Sequence, residues 1–168
     1  MKKKIRVLIP LLISEILEQD CTAFQISKEK LCNQILLKFS LRFRSNYQNE
    51  LDFEAKEYLQ FNLSKENQIY YSEIIRHVSD MTDSDIIREI FLNYAVLYPA
   101  LREIYLYREK LVFLNTAMKE YRVLKIDTGV LGIVEGRIQK IFRDSKSGYL
   151  KLLINNNEYY MSLIRIIN

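Results

Sequence analysis

Glycine and proline are scarce in this chain, four and two among 168 residues, and histidine occurs once. With so few breakers and 49% hydrophobic residues, the chain should fold through most of its length, as one ordinary domain or two to three very small ones. The same scarcities exclude several chemistries. No glycine-rich loop is present to cradle a phosphate, and no Cys/His set has metal-ligand spacing. The lone His77 has no nucleophile or metal-ligand cluster near it in sequence, so it reads as solvated or core-edge rather than catalytic. Cys21 and Cys32, the only cysteines, fall on apolar helix faces and read as small buried thiols in a reducing cytosol. No enzymatic activity, cofactor or metal is therefore expected. No apolar run approaches the roughly 20 residues of a membrane-spanning helix. The start MKKKIRVLIPLLI has the charge-then-apolar order of a signal peptide. Pro10 interrupts it, however, Ser14, Glu15, Glu18 and Asp20 follow at once, and no small-residue cleavage site is present. A cytoplasmic protein without membrane contact is expected.

What the sequence does hold is one pattern written twice: a short alternating run, an apolar helix, then a capped second helix. KKKIRVLIP, LLISEILEQDCTAFQI and SKEKLCNQILLKFSLRF form the first copy; YLQFNLS, KENQIYYSEIIRHVSDM and TDSDIIREIFLNYAVLY form the second. Aligning Ser27 with Thr82 places Leu31 on Ile86, Cys32 on Ile87, Ile35 on Ile90, Leu36 on Phe91 and Phe39 on Tyr94. Every pair keeps its apolar character, so the two segments share a strand–helix–helix plan. Neither copy can cover both sides of its helices alone, and a unit of this size that must pair is most often a nucleic-acid binder. The net charge of +4 is a mild basic bias. It is unevenly placed: Lys2, Lys3, Lys4, Arg6, Lys28, Lys30, Lys38, Arg42 and Arg44 load the N-terminal quarter, while Asp80, Asp83, Asp85 and Glu89 cluster in the second copy.

Residues 4–10 alternate Ile5, Val7 and Ile9 against Lys4, Arg6 and Leu8, a half-buried strand that Pro10 ends at a helix entry. Leu11 to Phe24 follows as a helix with Glu15, Glu18 and Gln19 on its solvated face. Ser27 is the expected N-cap of a second helix, Lys28 to about Phe43. The polar stretch 45–57 is the linker candidate. In the second copy the strand presents Gln60 and Asn62, and Thr82-Asp83-Ser84-Asp85 opens the second helix with two carboxylates that suit its dipole but repel a phosphate. That copy reads as a structural or pairing module. After Pro99, Ala100 to about Glu120 reads as one long helix. Strands follow at Arg122–Asp127, Gly132–Phe142, Tyr149–Ile154 and Glu158–Ile167, with turns at Thr128-Gly129, Asp144 to Gly148 and Asn155 to Asn157.

The strand, helix, ISKEKL cap and helix over residues 1–44 resemble the ribbon-helix-helix DNA-binding proteins, with a weaker second copy over 57–98. In that family two chains pair their strands into an antiparallel ribbon lying in the DNA major groove. The resemblance implies a homodimer, with intrachain pairing of the two copies as the rival arrangement that the linker is long enough to permit. It assigns the groove-facing positions to Lys4, Arg6 and Leu8, and the phosphate anchor to the Ser27-Lys28-Glu29 turn at the start of the second helix, with Lys28 and Lys30 reinforcing it. Leu8 departs from the polar reader usual there, and suits a thymine methyl.

IVEGRIQKI, GYLKLLI and LIRI resemble a truncated WYL domain, a regulatory module that often follows a DNA-binding segment in bacteria. Gly148 stands where that family has tryptophan and Gly136 where proline is common. The resemblance implies a ligand or single-strand site formed by Arg137, Lys140, Tyr149, Tyr160 and Arg165, cations and aromatic faces that suit a nucleotide; the alternative is that these residues fill a small barrel. The order of segments also resembles WYL-containing transcriptional regulators and the WYL-containing accessory proteins of RNA-targeting CRISPR systems. The expected class is α+β: tandem ribbon-helix-helix-like units at 1–44 and 58–98 around the 45–57 linker, a connecting helix at 99–120, and a small SH3-like antiparallel β-barrel or half-barrel at 121–168. The expected function is a homodimeric DNA-binding transcriptional regulator with a sensing or assembly tail. The alternative is an interaction module that binds a CRISPR effector or single-stranded RNA.

Overall fold

The structure, a computed structural model, describes residues 3–39, 55–73 and 82–167. His77, Asp80, Lys2, Arg42, Arg44 and most of the 45–57 linker lie outside the described residues. The chain divides into two compact units, Met1–Leu97 and Tyr98–Asn168.

In the first unit the order is β1 (Lys4–Pro10), α1 (Leu11–Phe24), α2 (Lys28–Phe39), β2 (Lys56–Asn62), α3 (Lys65–Glu73) and α4 (Asp83–Ala95). β2 begins inside the stretch expected to be linker. β1 and β2 pair antiparallel in a two-stranded sheet, with Lys4 opposite Asn62, Arg6 opposite Gln60 and Leu8 opposite Tyr58. This corrects the expected homodimeric ribbon: the partner of β1 is the second copy's strand in the same chain. The physical reason is that an isolated two-stranded ribbon needs a covered apolar face, and the second copy brings its own helices to cover it. Strand alternation puts Ile5, Val7 and Ile9 on one side with Leu59 and Phe61, all buried.

The helices close over that face. All ten residues of the five aligned pairs are buried, none above 2% exposure. The Phe39 and Tyr94 rings, equivalent positions in the two copies, meet edge to face with centroids 5.3 Å apart. Equivalent residues touching one another is the contact that two like halves make about an approximate two-fold axis. Tyr94 also donates its hydroxyl proton to the buried Asp20 carboxylate. The Ser14 hydroxyl donates to the Glu57 carboxylate, which gives the one charged residue among the inward β2 positions a partner. Pro10 ends β1 and is the N-cap of α1, as its fixed φ suits. Cys32 is fully buried and Cys21 half-buried; burial pushes both thiols up from their ordinary value.

The second unit opens on two helices, α5 (Pro99–Leu106) and α6 (Arg108–Lys119), and continues with β3 (Val123–Asp127), β4 (Ile133–Arg143), β5 (Leu150–Ile154), β6 (Asn157–Tyr160) and β7 (Arg165–Ile167). The single helix expected over 100–120 is broken at Tyr107, whose backbone takes φ −118° and ψ 32°. A straight helix of that length would run about 30 Å at 1.5 Å per residue, well past a sheet of mostly short strands. The break lets Ala100 at one end and Leu114 and Ala117 at the other join a single apolar cluster with Leu124, Ile126, Leu152 and Ile154. The strands form one antiparallel sheet in the order β6-β5-β4-β3-β7. It is an open sheet and not a closed barrel, and the strand expected over Glu158–Ile167 is two, β6 and β7, at opposite ends of that order. Asn155 and Asn156 both adopt left-handed φ, 51° and 63°, in the two-residue β5–β6 turn, as a type I′ hairpin requires. Gly136 is needed where it stands: a Cβ there would lie 2.6 Å from Asn155 Oδ1 and 2.8 Å from Ile154 Cγ2.

Candidate nucleic-acid interface

The face of the ribbon turned away from the helices carries Lys4, Arg6 and Leu8 from β1, opposed by Asn62, Gln60 and Tyr58 from β2, with Lys56 opposite Pro10. Lys4, Arg6, Lys56, Tyr58 and Gln60 are exposed, and Leu8 and Asn62 half-buried. Three cations and no carboxylate occupy these eight positions. The Arg6 guanidinium lies 4.1 Å from the centroid of the Tyr58 ring, its diagonal neighbour across the ladder. That stack holds a long side chain upright while leaving its donor fork available. The face offers what base-edge reading uses: a guanidinium for guanine O6 and N7, and an amide at Gln60 for adenine N6 and N7, while the Asn62 amide is engaged by Glu29.

Leu8 has a second role that the sequence did not suggest. Its backbone carbonyl accepts a hydrogen bond of 3.0 Å from Arg88 Nε of α4, and Arg88 is itself paired with Asp85 at 2.7 Å. α4, the second copy's second helix, is thereby tied to the first copy's strand. Thr82 caps that helix by accepting from the Asp85 amide at 3.2 Å, and donates to the Asp85 carboxylate at 2.6 Å. The Thr82 hydrogen bond, and then Arg88, hold the Asp85 carboxyl below the usual carboxylate range. The Asp85 carboxylate at the start of α4 is thus occupied by internal partners.

In the first copy, Ser27 caps α2 by accepting from the Lys30 amide at 3.2 Å. Ser27 and Lys30 are exposed and Lys28 half-buried. Glu29, in the same turn, reaches to the ribbon and accepts from Asn62 Nδ2 at 3.0 Å, so a carboxylate shares this helix start with the two lysines. Ser64 caps α3 in the same manner, accepting from the Asn67 amide at 3.2 Å. The starts of α2 and α3 border a cavity of about 630 Å³. Asn33 joins its walls, donating to the Glu29 and Asn62 carbonyls at 2.9 Å each and accepting from the Ser64 amide at 2.7 Å and Asn67 Nδ2 at 2.9 Å. Tyr58, Asn33, Ser64 and Asn67 were not singled out by sequence. Tyr58 was within reach, since it alternates with Gln60 and Asn62 on one face; Ser64-x-x-Asn67 is a capping spacing; Asn33, mid-helix, gave no signal.

The five tail residues are dispersed. Arg137 and Lys140 are exposed on β4, Tyr160 lies on β6 and Arg165 on β7. Tyr149, 5% exposed, offers no ring face to a ligand. The Tyr160 ring is covered by Lys151, whose Nζ lies 4.9 Å from its centroid, and Lys140 sits 5.3 Å from the Phe142 ring. Among the described residues no group of three or more His, Cys, Asp and Glu side chains converges as a metal would need, and no helix is long and apolar enough to cross a membrane.

No family model matches the chain, and no curated protein does. Its fold is similar to a crystal structure of a CRISPR Cas-related protein, with a TM-score of 0.67 over 98% of this chain at 10% sequence identity. The chain spans 62% of the length of that protein.

Proposed function

We propose that the chain is a nucleic-acid-binding regulatory protein that lays its intrachain ribbon in the major groove of duplex DNA. The observation that carries this reading is the ribbon's outer face, with Lys4, Arg6 and Lys56 set among Gln60, Asn62 and Tyr58 and no carboxylate among its own eight residues; Glu29 of α2 reaches it only at Asn62. A two-stranded ribbon fits the B-form major groove, whereas the deep, narrow major groove of A-form RNA excludes it. This is the geometry that the ribbon-helix-helix resemblance implies, built from one chain in place of two. Homodimerisation is then not required to complete the ribbon; a second chain would serve to read a second half-site. The unit from Tyr98 onward, with its WYL-like strands, is assigned a sensing or assembly role.

A second reading has its own support. The fold likeness to a CRISPR Cas-related protein, together with the stacked Arg6–Tyr58 pair, favours a module that binds single-stranded RNA or a CRISPR effector. A base can stack on such a platform without sequence preference. Fluorescence anisotropy with a labelled 20-bp duplex DNA and a single-stranded RNA of the same sequence, each across a salt series, separates the two. Tighter binding of the duplex, with log K falling linearly in log salt, is expected. Binding of the RNA alone would transfer the assignment to the second reading, and no binding of either would overturn both nucleic-acid readings.

A further inference from the structure

The two copies of the first unit repeat each other inside the fold and differ on the outer face of the ribbon. Matching the helix starts, Leu11 of α1 with Lys65 of α3, sets residues 4–9 against residues 58–63. Both stretches run exposed, buried, exposed, buried, half-buried, buried. The inward positions repeat in chemistry as well: Ile5 with Leu59, Val7 with Phe61 and Ile9 with Leu63, all buried. The ties between helix and strand also repeat. Under the alignment of Ser27 with Thr82, Asn33 falls on Arg88. Asn33 Nδ2 donates to the Asn62 carbonyl at 2.9 Å, and Arg88 Nε donates to the Leu8 carbonyl at 3.0 Å. Leu8 and Asn62 are themselves an equivalent pair, so each copy's second helix holds the other copy's strand at the same point.

These relations locate the approximate two-fold axis. Arg6 and Gln60 are equivalent positions, and they stand directly opposite one another in the ladder. A residue that faces its own equivalent lies on the axis. The axis therefore passes between Arg6 and Gln60, as it passes between Phe39 and Tyr94. In a ribbon of two identical strands this central pair would be one residue facing itself. Here a guanidinium faces an amide. The flanking outward positions differ equally, Lys4 being the equivalent of Tyr58 and Leu8 of Asn62. Tyr58 steadies only the arginine half: its stack with Arg6 at 4.1 Å has no repeat at Gln60, where the equivalent of Tyr58 is Lys4. Charge beside the ribbon departs from symmetry too, since Lys28 and Lys30 of α2 fall where α4 has Asp83 and Asp85.

We propose that the ribbon reads a non-palindromic duplex, with a G·C pair next to an A·T pair at its centre. This adds to the ribbon reading, on which it rests, the class of sequence that one chain recognises. The symmetry of a DNA site mirrors that of the protein face that reads it, and this face keeps no outward pair alike. Side chains directly opposite in an antiparallel ladder have Cβ atoms about 5 Å apart, and successive base pairs lie about 3.4 Å apart. Arg6 and Gln60 thus reach neighbouring pairs. An arginine fork matches guanine O6 and N7, and a glutamine amide matches adenine N6 and N7. The two pairs astride the centre of a palindrome are always of one kind, both G·C or both A·T. A mixed step excludes one.

To test this, the full chain is equilibrated with a duplex library randomised over about ten base pairs, one helical turn. DNA from the complex holding one chain per duplex is recovered from a native gel and sequenced. The enriched sequences should be non-palindromic with a mixed central step. A defined duplex with that step should bind about tenfold more tightly than one whose central pairs are both G·C or both A·T. Gln60→Arg places two guanidiniums at the centre and should move the preference to two G·C pairs; Arg6→Gln should move it to two A·T pairs. Both positions are exposed, and melting temperatures check that the variants remain folded. A palindromic motif in the one-chain complex, or recovered sequences without any preference, would overturn the proposal while leaving duplex binding by the ribbon standing. A preference that both folded variants leave unchanged would overturn it as well. Failure to recover any duplex would remove the ribbon reading and this proposal with it.

Discussion

Asn33 is the side chain on which the junction between the two copies turns, and Asn33→Ala should destabilise the first unit by about 2–4 kcal/mol. The magnitude follows from its four hydrogen bonds. Truncation removes the acceptor of the Ser64 amide and a donor of the Asn62 carbonyl, while Asn67 Nδ2 keeps the Asn33 backbone oxygen. Leaving a buried polar group unmet costs about 1–3 kcal/mol each, and since Ser64 and Asn62 are half-buried, water recovers part of it. Loss of packing from a half-buried mid-helix side chain adds a further fraction, partly offset by the better helix propensity of alanine. Urea denaturation followed by far-UV circular dichroism measures it, as a fall in midpoint at unchanged slope. Two compact units can unfold separately, so the shift should be confined to one transition. Asn33→Asp should be no better, because a carboxylate would then face the Glu29 and Asn62 carbonyls. Lys30→Ala, exposed one turn away, should stay within about 0.5 kcal/mol of wild type. A loss below about 1 kcal/mol for Asn33→Ala would refute the reasoning, since the network would then be dispensable.

Other consequences follow from backbone and charge. Gln25, at the C-terminus of α1, sits at φ 52° and ψ 46°; Gln25→Gly should raise stability by about 0.5–1 kcal/mol, measured by denaturation, whereas Gln25→Ala should give no such gain. Lys110 reaches the Ser162 carbonyl at 3.2 Å, and burial, with Arg165 adding to it and Glu103 opposing it, lowers its ammonium pKa to about 8. Between pH 8 and the ordinary lysine value the unfolded chain holds a proton that the folded chain has released, so wild-type stability should rise through that window relative to Lys110→Met. Melting curves of the two proteins from pH 7 to 10 check this; a stability difference constant across that range would contradict it.

Hydrophobic spacing carried the inside of the first unit into view. The alignment of Ser27 with Thr82 placed ten residues inward, and all ten are buried because helical period and apolar character leave them one common face. The α+β class was legible for the same reason, as were the hairpin turns. The break at Tyr107 was not: Ala100, Glu103, Tyr107, Leu111, Leu114 and Ala117 recur at spacings of three and four straight across it, so the period carries no mark of the bend. Pairing partners were open as well. Alternation shows which residues of β1 face inward and says nothing about whether the opposing strand belongs to the same chain. The outward placement of Lys4 and Arg6 was legible because it depends on alternation, whereas contacts that depend on tertiary approach were not, as with the Asn33 network and the Arg88 bond to Leu8. The expected tail site had no such periodic support, and its residues are spread over β4, β6, β7 and a buried Tyr149.

The account rests on the outer face of the intrachain ribbon as the surface that meets nucleic acid, and the salt dependence of duplex binding tests it most directly. Lys4→Gln, Arg6→Gln and Lys56→Gln together remove its three cations while leaving Ile5, Val7, Ile9, Leu59 and Phe61 to hold the ribbon. Each lost phosphate contact should flatten the plot of log K against log salt by about 0.9, so the triple variant should lose about 2–3 from the slope and bind weakly at low salt, with its melting temperature retained. A triple variant that keeps both the wild-type slope and the wild-type affinity would place the interface elsewhere on the molecule.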